Sequence, residues 1–188
     1  MKMKHVLVAF TVLALAVAAC KKEKKQTVTN PTNPNEEELI TTFKIVFVDT
    51  NGVLPNVEAR FVDTDGPGGN APTVFDTIRL SANATYNATI TLLNESVTPV
   101  QDITVEVEEE GVDHLFCFGV LSGLNISSIV RTDADANGLP IGIHSRWSIG
   151  GASSGTTTIR LRHQPGVKNG QCDPGETDIE LNFHTIIQ

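Results

Sequence analysis

Apolar and polar residues alternate with a period of two along most of this chain. Glycine, proline and asparagine break the alternation at short intervals. Successive side chains of a strand point to opposite faces, so the pattern fits half-buried strands. Phe43, Ile45 and Phe47 alternate around Lys44, and Asn51-Gly52 marks a turn. Val57, Ala59 and Phe61 alternate with Glu58 and Arg60, before a Gly/Pro/Asn loop from Asp65 to Pro72. Val74 to Leu80 reads as a further strand. Tyr86, Ala88, Ile90 and Leu92 share one face, with Asn87, Thr89 and Thr91 on the other. Leu115 to Leu121 is apolar on both faces, as in a buried strand, and Ile126 to Thr132 follows. Ile141, Ile143, Trp147 and Ile149 share a face opposite His144 and Arg146. Ile159 and Leu161, then Ile179, Leu181, Phe183 and Ile187, complete the series.

One stretch breaks the period. From Asp102 to Glu110, Ile103 and Val107 stand one helical turn apart, Asp102 occupies an N-cap position, and three adjacent glutamates suit a solvated end. A short helix is expected there. The whole predicts an all-β domain over 41–188, a single antiparallel β-sandwich of Ig-like type. No internal repeat is evident.

The first forty residues are organised differently. Lys2 and Lys4 precede an uncharged run from Val6 to Ala19, and small residues stand before Cys20. That layout predicts a secretory signal over 1–19, and the run is too short for a permanent span of about 20 residues. Val17-Ala18-Ala19-Cys20 resembles the bacterial lipobox. The resemblance implies cleavage before Cys20 and acylation of its thiol and new amine, a membrane anchor in which several chains hold firmly where one binds only marginally. Residues 20–40 then read as a tether. Lys21-Lys22-Glu23-Lys24-Lys25 and the Thr/Asn/Pro stretch to Asn35 lack the apolar surface to fold.

From Thr41 onward there are eight Lys/Arg against eighteen Asp/Glu. Such a surface repels nucleic acid, which is excluded as a partner. Cys117 lies in the apolar run and Cys172 in a polar loop. A disulfide between them and two separate thiols are both open. If formed, the bond closes a long loop, with about 4 kcal/mol of stabilisation in the chain-entropy model.

Asp133, Asp135 and Asn137 before Gly138 match the first half of a calcium loop. The position that a calcium-binding EF-hand gives to Glu is His144 here, so that motif fails. A different oxygen shell, helped by Asp63 and Asp65 or by Asp173, Glu176 and Asp178, stands against a plain Asn-Gly turn. Calcium is thus the one cofactor the sequence suggests. The glycine-rich stretch Asp63 to Asn70 opens no helix and has no Lys, so it cradles no phosphate. Glu109, Glu110, Asp113 and His114 cluster and offer metal ligands, or form a solvated edge. His144 and His184 sit on outward strand faces, and none of His114, His144, His163 and His184 forms a close pair at i, i+4. No nucleophile–base–acid set can be assembled, so an enzyme is not expected. Four Asn-x-Ser/Thr triplets, at Asn83, Asn87, Asn94 and Asn125, and Asp76-Thr77-Ile78 match short glycosylation motifs.

Thr73 to Leu80, Ala88 to Ser96, Leu161 to Gly166 and Gly175 to Asp178 resemble a family of small Bacteroidetes-type lipoproteins, over most of the chain after Thr41. Some members carry the label of a type 1 periplasmic binding fold, which describes larger, two-lobed α/β proteins. The resemblance implies a cell-envelope location and transfers no functional residues. The expectation is an outer-membrane, lipid-anchored protein, facing the periplasm or the exterior, whose domain is a structural or interaction module for an envelope protein. The alternative is a ligand-capture lipoprotein for a metal ion or metal cofactor, using the acidic loops or His114, His144 and His184.

Overall fold

Eleven strands and one helix account for the regular structure in a computed structural model that describes residues 38–188, apart from 67 and 122. In chain order these are β1 (Thr42–Asp49), β2 (Val57–Val62), β3 (Val74–Phe75), β4 (Ile78–Leu80), β5 (Thr85–Asn94) and β6 (Gln101–Asp102). Then follow α1 (Ile103–Glu109), β7 (His114–Val120), β8 (Ile126–Arg131), β9 (His144–Ile149), β10 (Ser153–His163) and β11 (Glu176–Ile187). The expected signal, the acylated Cys20 and nearly all of the tether lie outside the described residues. Among those described, no helix is long and apolar enough to cross a membrane.

The strands form two sheets. One has the order β3-β2-β1-β5-β9-β8, with β6 also on β5; the other has the order β4-β11-β10-β7. The alternation explains the register. Phe43 stands opposite Leu92, Ile45 opposite Ile90 and Phe47 opposite Ala88 between β1 and β5. These residues are all buried. From the second sheet Ile159, Leu161, Leu181, Phe183 and Ile187 join the same hydrophobic cluster. Phe43 and Phe183 have ring centroids 5.7 Å apart, and Phe118 of β7 lies 5.5 Å from Trp147 of β9. Fully burying each such side chain contributes roughly 1.5–3 kcal/mol.

The helix forms where the period changes. Asp102 caps it, its Oδ1 accepting from the Thr104 amide at 3.0 Å, and Ile103 and Val107 are buried beneath it. Thr104 also replaces a missing ladder partner for β5: its Oγ1 accepts from the Leu92 amide at 2.8 Å.

Three features were not expected. Val74 to Leu80 is two strands, not one. β3 pairs with β2, Asp76 turns the chain by accepting from the Arg60 amide at 2.9 Å, and β4 continues into the other sheet. Entering from the far sheet and not through a hairpin, β4 runs parallel to β11, whereas the other strand pairs are antiparallel. The packing also begins ahead of Thr41: Ile40 is buried in the core cluster, and the Thr41 amide donates to the Leu93 carbonyl at 3.0 Å.

The third feature is the segment Ile141-Gly142-Ile143. The Ile141 carbonyl accepts from the Phe116 amide of β7 at 2.7 Å, and the Ile143 carbonyl accepts from the Ile90 amide of β5 at 3.0 Å. It therefore bonds to both sheets. Gly142 has φ +96°, and a Cβ there would come within 2.9 Å of the Phe116 Cβ. Only glycine fits this crossing.

Cys117 and Cys172 are joined by a disulfide, with Cα atoms 6.0 Å apart. It pins the connection between β10 and β11 to β7.

Candidate metal centre

β7 starts at His114 and β10 ends at His163, and the two residues are register partners. Adjacent strands thus place two imidazoles side by side at one end of the second sheet. The rings stack with centroids 4.8 Å apart and planes 7° from parallel. The Gln164 amide donates to the Asp113 carbonyl at 2.6 Å, tying the two strand ends together just beyond the pair. Glu38 reaches the same place from the segment before β1. Its Oε1 lies 3.2 Å from His114 Nε2, with the His114 side chain 0% and the Glu38 side chain 4% exposed. Asp178 of β11 is the next carboxylate, 3.9 Å from the same Nε2 and also fully buried.

One ligand atom each from Glu38, His114 and His163 lies within 4.8 Å of the others. The helix fixes the orientation of His114. Its Nδ1 is 3.1 Å from the Glu110 carbonyl, at the end of α1. A carbonyl only accepts, so Nδ1 carries the proton and donates. Nε2 then has two states: protonated, as an imidazolium beside Glu38, or bare, as a lone pair facing carboxylate oxygen. Two acceptors 3.2 Å apart repel one another unless a proton or a cation joins them. A backbone carbonyl on the second ring nitrogen is the usual support of a metal-ligating histidine.

The electrostatics agree. Burial opposes a charge on His114, but Glu38, Asp178 and the Glu110 carbonyl outweigh it and raise its pKa. Burial likewise pushes the Glu38 carboxyl up, and His114, its own amide and His163 bring it below its ordinary value. Glu106 of α1 is raised, by burial first and then by Glu38 and Glu110. The Glu38–His114 contact is an ion pair and not an aligned hydrogen bond. Neither His114 Nε2 nor either Glu38 oxygen has a hydrogen-bond partner among the described residues.

The three donor atoms lie within 4.8 Å of one another, and a metal ion would have to draw them closer. Ligands of a tetrahedral zinc sit about 3.4 Å apart, given bonds of about 2.0–2.1 Å. Parallel imidazoles also direct their in-plane lone pairs along parallel planes, so one ion meets both only after a ring turns. Glu38 and Asp178 also line a cleft of about 580 Å³.

The residues named as calcium ligands are employed otherwise. Asp133 accepts from the amides of Gly142 at 2.7 Å and His144 at 2.9 Å. Asp135 Oδ1 accepts from the amides of Asn137 at 2.8 Å and Leu139 at 3.0 Å, and its Oδ2 pairs with Lys168 Nζ at 2.8 Å. An ammonium therefore occupies the side of Asp135 where a calcium would have to sit, and Asn137 lies exposed at a turn. Asp133, Asp135 and Asn137 build a capped hairpin. The carboxylates of Asp133 and Asp135 are committed to the protein, so the calcium reading loses its two charged ligands.

Of the acidic run around His114, Glu110 serves the centre through its carbonyl, and Asp113 Oδ1 accepts from the Gly166 amide at 3.3 Å. His144 and His184 stand on strands of different sheets and both are exposed. Sequence reading missed Glu38, placed in the tether, and left His163 without a partner. The strand register that joins His163 to His114 is the signal that finds them, and it requires knowing that β7 pairs with β10. Compared with protein-family models, with curated proteins and with solved structures, the chain finds no match.

Proposed function

We propose that this chain is a lipid-anchored cell-envelope protein that captures a metal ion at Glu38, His114 and His163, with Asp178 as the adjoining carboxylate. The single observation that carries the reading is the convergence of three donor atoms within 4.8 Å in a buried place. Two imidazoles and a carboxylate are borderline ligands, suited to zinc and its first-row neighbours and not to calcium, which prefers an all-oxygen shell. This favours metal capture over a purely structural or interaction module. The anchor reading is supported by Val17-Ala18-Ala19-Cys20 and by the resemblance to Bacteroidetes-type lipoproteins, and with it goes an outer-membrane location. The two sheets with their shared core support an Ig-like sandwich as the scaffold.

Metal entry has a proton cost. With Nδ1 bonded to Glu110, a metal on Nε2 displaces the proton that pairs His114 with Glu38. Zinc titrated calorimetrically into the full chain should bind at one site per chain, release protons, and raise the melting temperature. At a hundredfold excess over the dissociation constant the gain is about 2.7 kcal/mol. Glu38→Gln and His163→Gln should each remove the saturable binding. Wild type that shows no saturable zinc, nickel or copper binding at pH 7.5 defeats the metal reading. Equal fatty-acid labelling of Cys20→Ser and wild type defeats the anchor.

A further inference from the structure

β7 and β8 are the last strands of their sheets, and they border a common pocket of about 260 Å³. Phe118 and Val120 of β7 and Ile126 and Ile129 of β8 supply its apolar walls. Ser127, Ser128 and Arg131 supply the polar groups, and Arg131 is the one charged residue of the lining. Arg131 is half-buried, with its bonds on one side of the guanidinium. Its Nε donates to the Phe116 carbonyl at 2.5 Å, its Nη2 lies 3.4 Å from Cys172 Sγ, and its Cζ stands 5.8 Å from the centre of the Phe118 ring. Nη1 makes no hydrogen bond, and the residue takes part in no ion pair, among the described residues. Burial opposes its charge and Asp133 favours it. Both oxygens of Asp133, however, accept from amides, those of Gly142 and His144.

A backbone donor stands beside this guanidinium. The Phe116 amide donates to Ile141 and its carbonyl accepts from Arg131, so both point away from β10. The Leu121 amide, of the opposite parity, donates to Thr156 of β10 at 3.1 Å. Residues two apart on a strand bond to the same side, so the Phe118 amide points the way of Phe116, along the edge that borders the pocket. Nothing accepts from it among the described residues. The Phe116 carbonyl and the Phe118 amide are neighbours on that edge, and a group held at Arg131 therefore meets the amide as well.

We propose that this pocket binds a small organic monocarboxylate with a compact apolar body. One carboxylate oxygen takes Arg131 Nη1 and the other takes the Phe118 amide, a planar acceptor on a fixed pair of donors. The body lies against Val120, Ile126 and Ile129. A cation meets the guanidinium and is repelled. A doubly charged phosphate or sulfate has to shed its water against four apolar side chains with a single positive charge in return. The volume of about 260 Å³ falls just under the usual range of small-ligand sites, roughly 300–1,000 Å³, so the body is no larger than one ring. None of these residues belongs to the metal centre, and the two readings stand or fall separately.

Benzoate, benzyl alcohol and benzylammonium share one ring and differ in charge, so they serve as probes for calorimetric titration of the full chain. Benzoate should bind saturably at one site, at least about tenfold more tightly than the alcohol, with benzylammonium not bound. Arg131→Gln removes the charge and should weaken benzoate by about tenfold or more. That variant also gives up the bond to the Phe116 carbonyl, so a second position tests the charge without touching it. Val120 is 39% exposed at the pocket, and Val120→Glu should weaken benzoate while Val120→Lys does not, with both melting within a few degrees of wild type. Three results overturn the proposal: no saturable binding of benzoate, binding of the alcohol or the ammonium as tight as that of benzoate, or equal benzoate affinity in Val120→Glu and Val120→Lys.

Discussion

Replacing Lys168 by Met removes an ammonium from a carboxylate that stays buried. Lys168 Nζ lies 2.8 Å from Asp135 Oδ2, with the two side chains 2% and 1% exposed, and it also donates to the Gly111 carbonyl at 2.6 Å. Breaking a buried pair by removing one partner costs roughly 3–5 kcal/mol. Asp135 keeps two amide donors on its other oxygen, so the lower end, about 3 kcal/mol, is expected. For a domain of this size that is a fall in melting temperature of roughly 6–12 °C, at about 2–4 °C per kcal/mol. Scanning calorimetry of wild type, Lys168→Met, Asp135→Asn and the double variant forms a cycle. The double variant should be more stable than the two single losses added together, since it leaves no charge stranded. The pH dependence adds a second reading. Burial pushes the Asp135 carboxyl up, but Lys168 and the Leu139 and Asn137 amides bring it below its ordinary 3.8. A lowered pKa gives stability that is present above pH 3.8 and lost as the pH falls through the lower folded value. This acid-labile part should shrink in Lys168→Met. A loss under about 1 kcal/mol, or strict additivity in the cycle, means that the pair behaves as a screened surface contact and refutes the argument.

The remaining expectations concern the histidine cluster, the disulfide and calcium. His114 is raised above 6.5 and Glu38 lowered below 4.5, so their ion pair stabilises fully between about pH 4.5 and 6.5. It is lost as the pH rises through the folded value of His114, or falls through that of Glu38. The difference in melting temperature between wild type and His114→Gln should peak in that window, and a flat difference from pH 4 to 9 contradicts the pairing. Reducing Cys117–Cys172, which spans 55 residues of sequence, should cost about 4 kcal/mol in the chain-entropy model. Denaturant unfolding with and without reductant measures this, and an unchanged midpoint excludes it. Calcium at millimolar concentration should shift the melting temperature no more than sodium chloride of equal ionic strength, because Lys168 already holds Asp135.

Much of the two-sheet fold was legible because its cause is local. Phe43, Ile45 and Phe47, or Tyr86, Ala88, Ile90 and Leu92, declare their buried face by spacing alone. Asp102 likewise announces a helix through its own side chain. What could not be read depends on partners distant in sequence. Val74 to Leu80 looks continuous, and only the Arg60–Asp76 contact divides it between sheets. Asp133 and Asp135 have the spacing of ligands, yet the Gly142 and His144 amides take Asp133, and Lys168, 33 residues beyond Asp135, takes Asp135. Glu38 sits in a polar run with no apolar spacing to mark it as inside. Only the neighbouring imidazoles make its burial tolerable.

The crossing at Gly142 changes what it means for this domain to come apart. Two sheets joined only by side-chain packing can separate in steps, one loosening while the other holds. Here main-chain bonds from Ile141 and Ile143 reach one strand of each sheet, so peeling either sheet away severs hydrogen bonds of the other's ladder segment. The amides of Ile90 and Phe116 then report a single cooperative opening, and their exchange with solvent proceeds at the rate set by global unfolding. A methyl group at position 142 would press on Phe116 from within this junction and lower that one barrier for both sheets together.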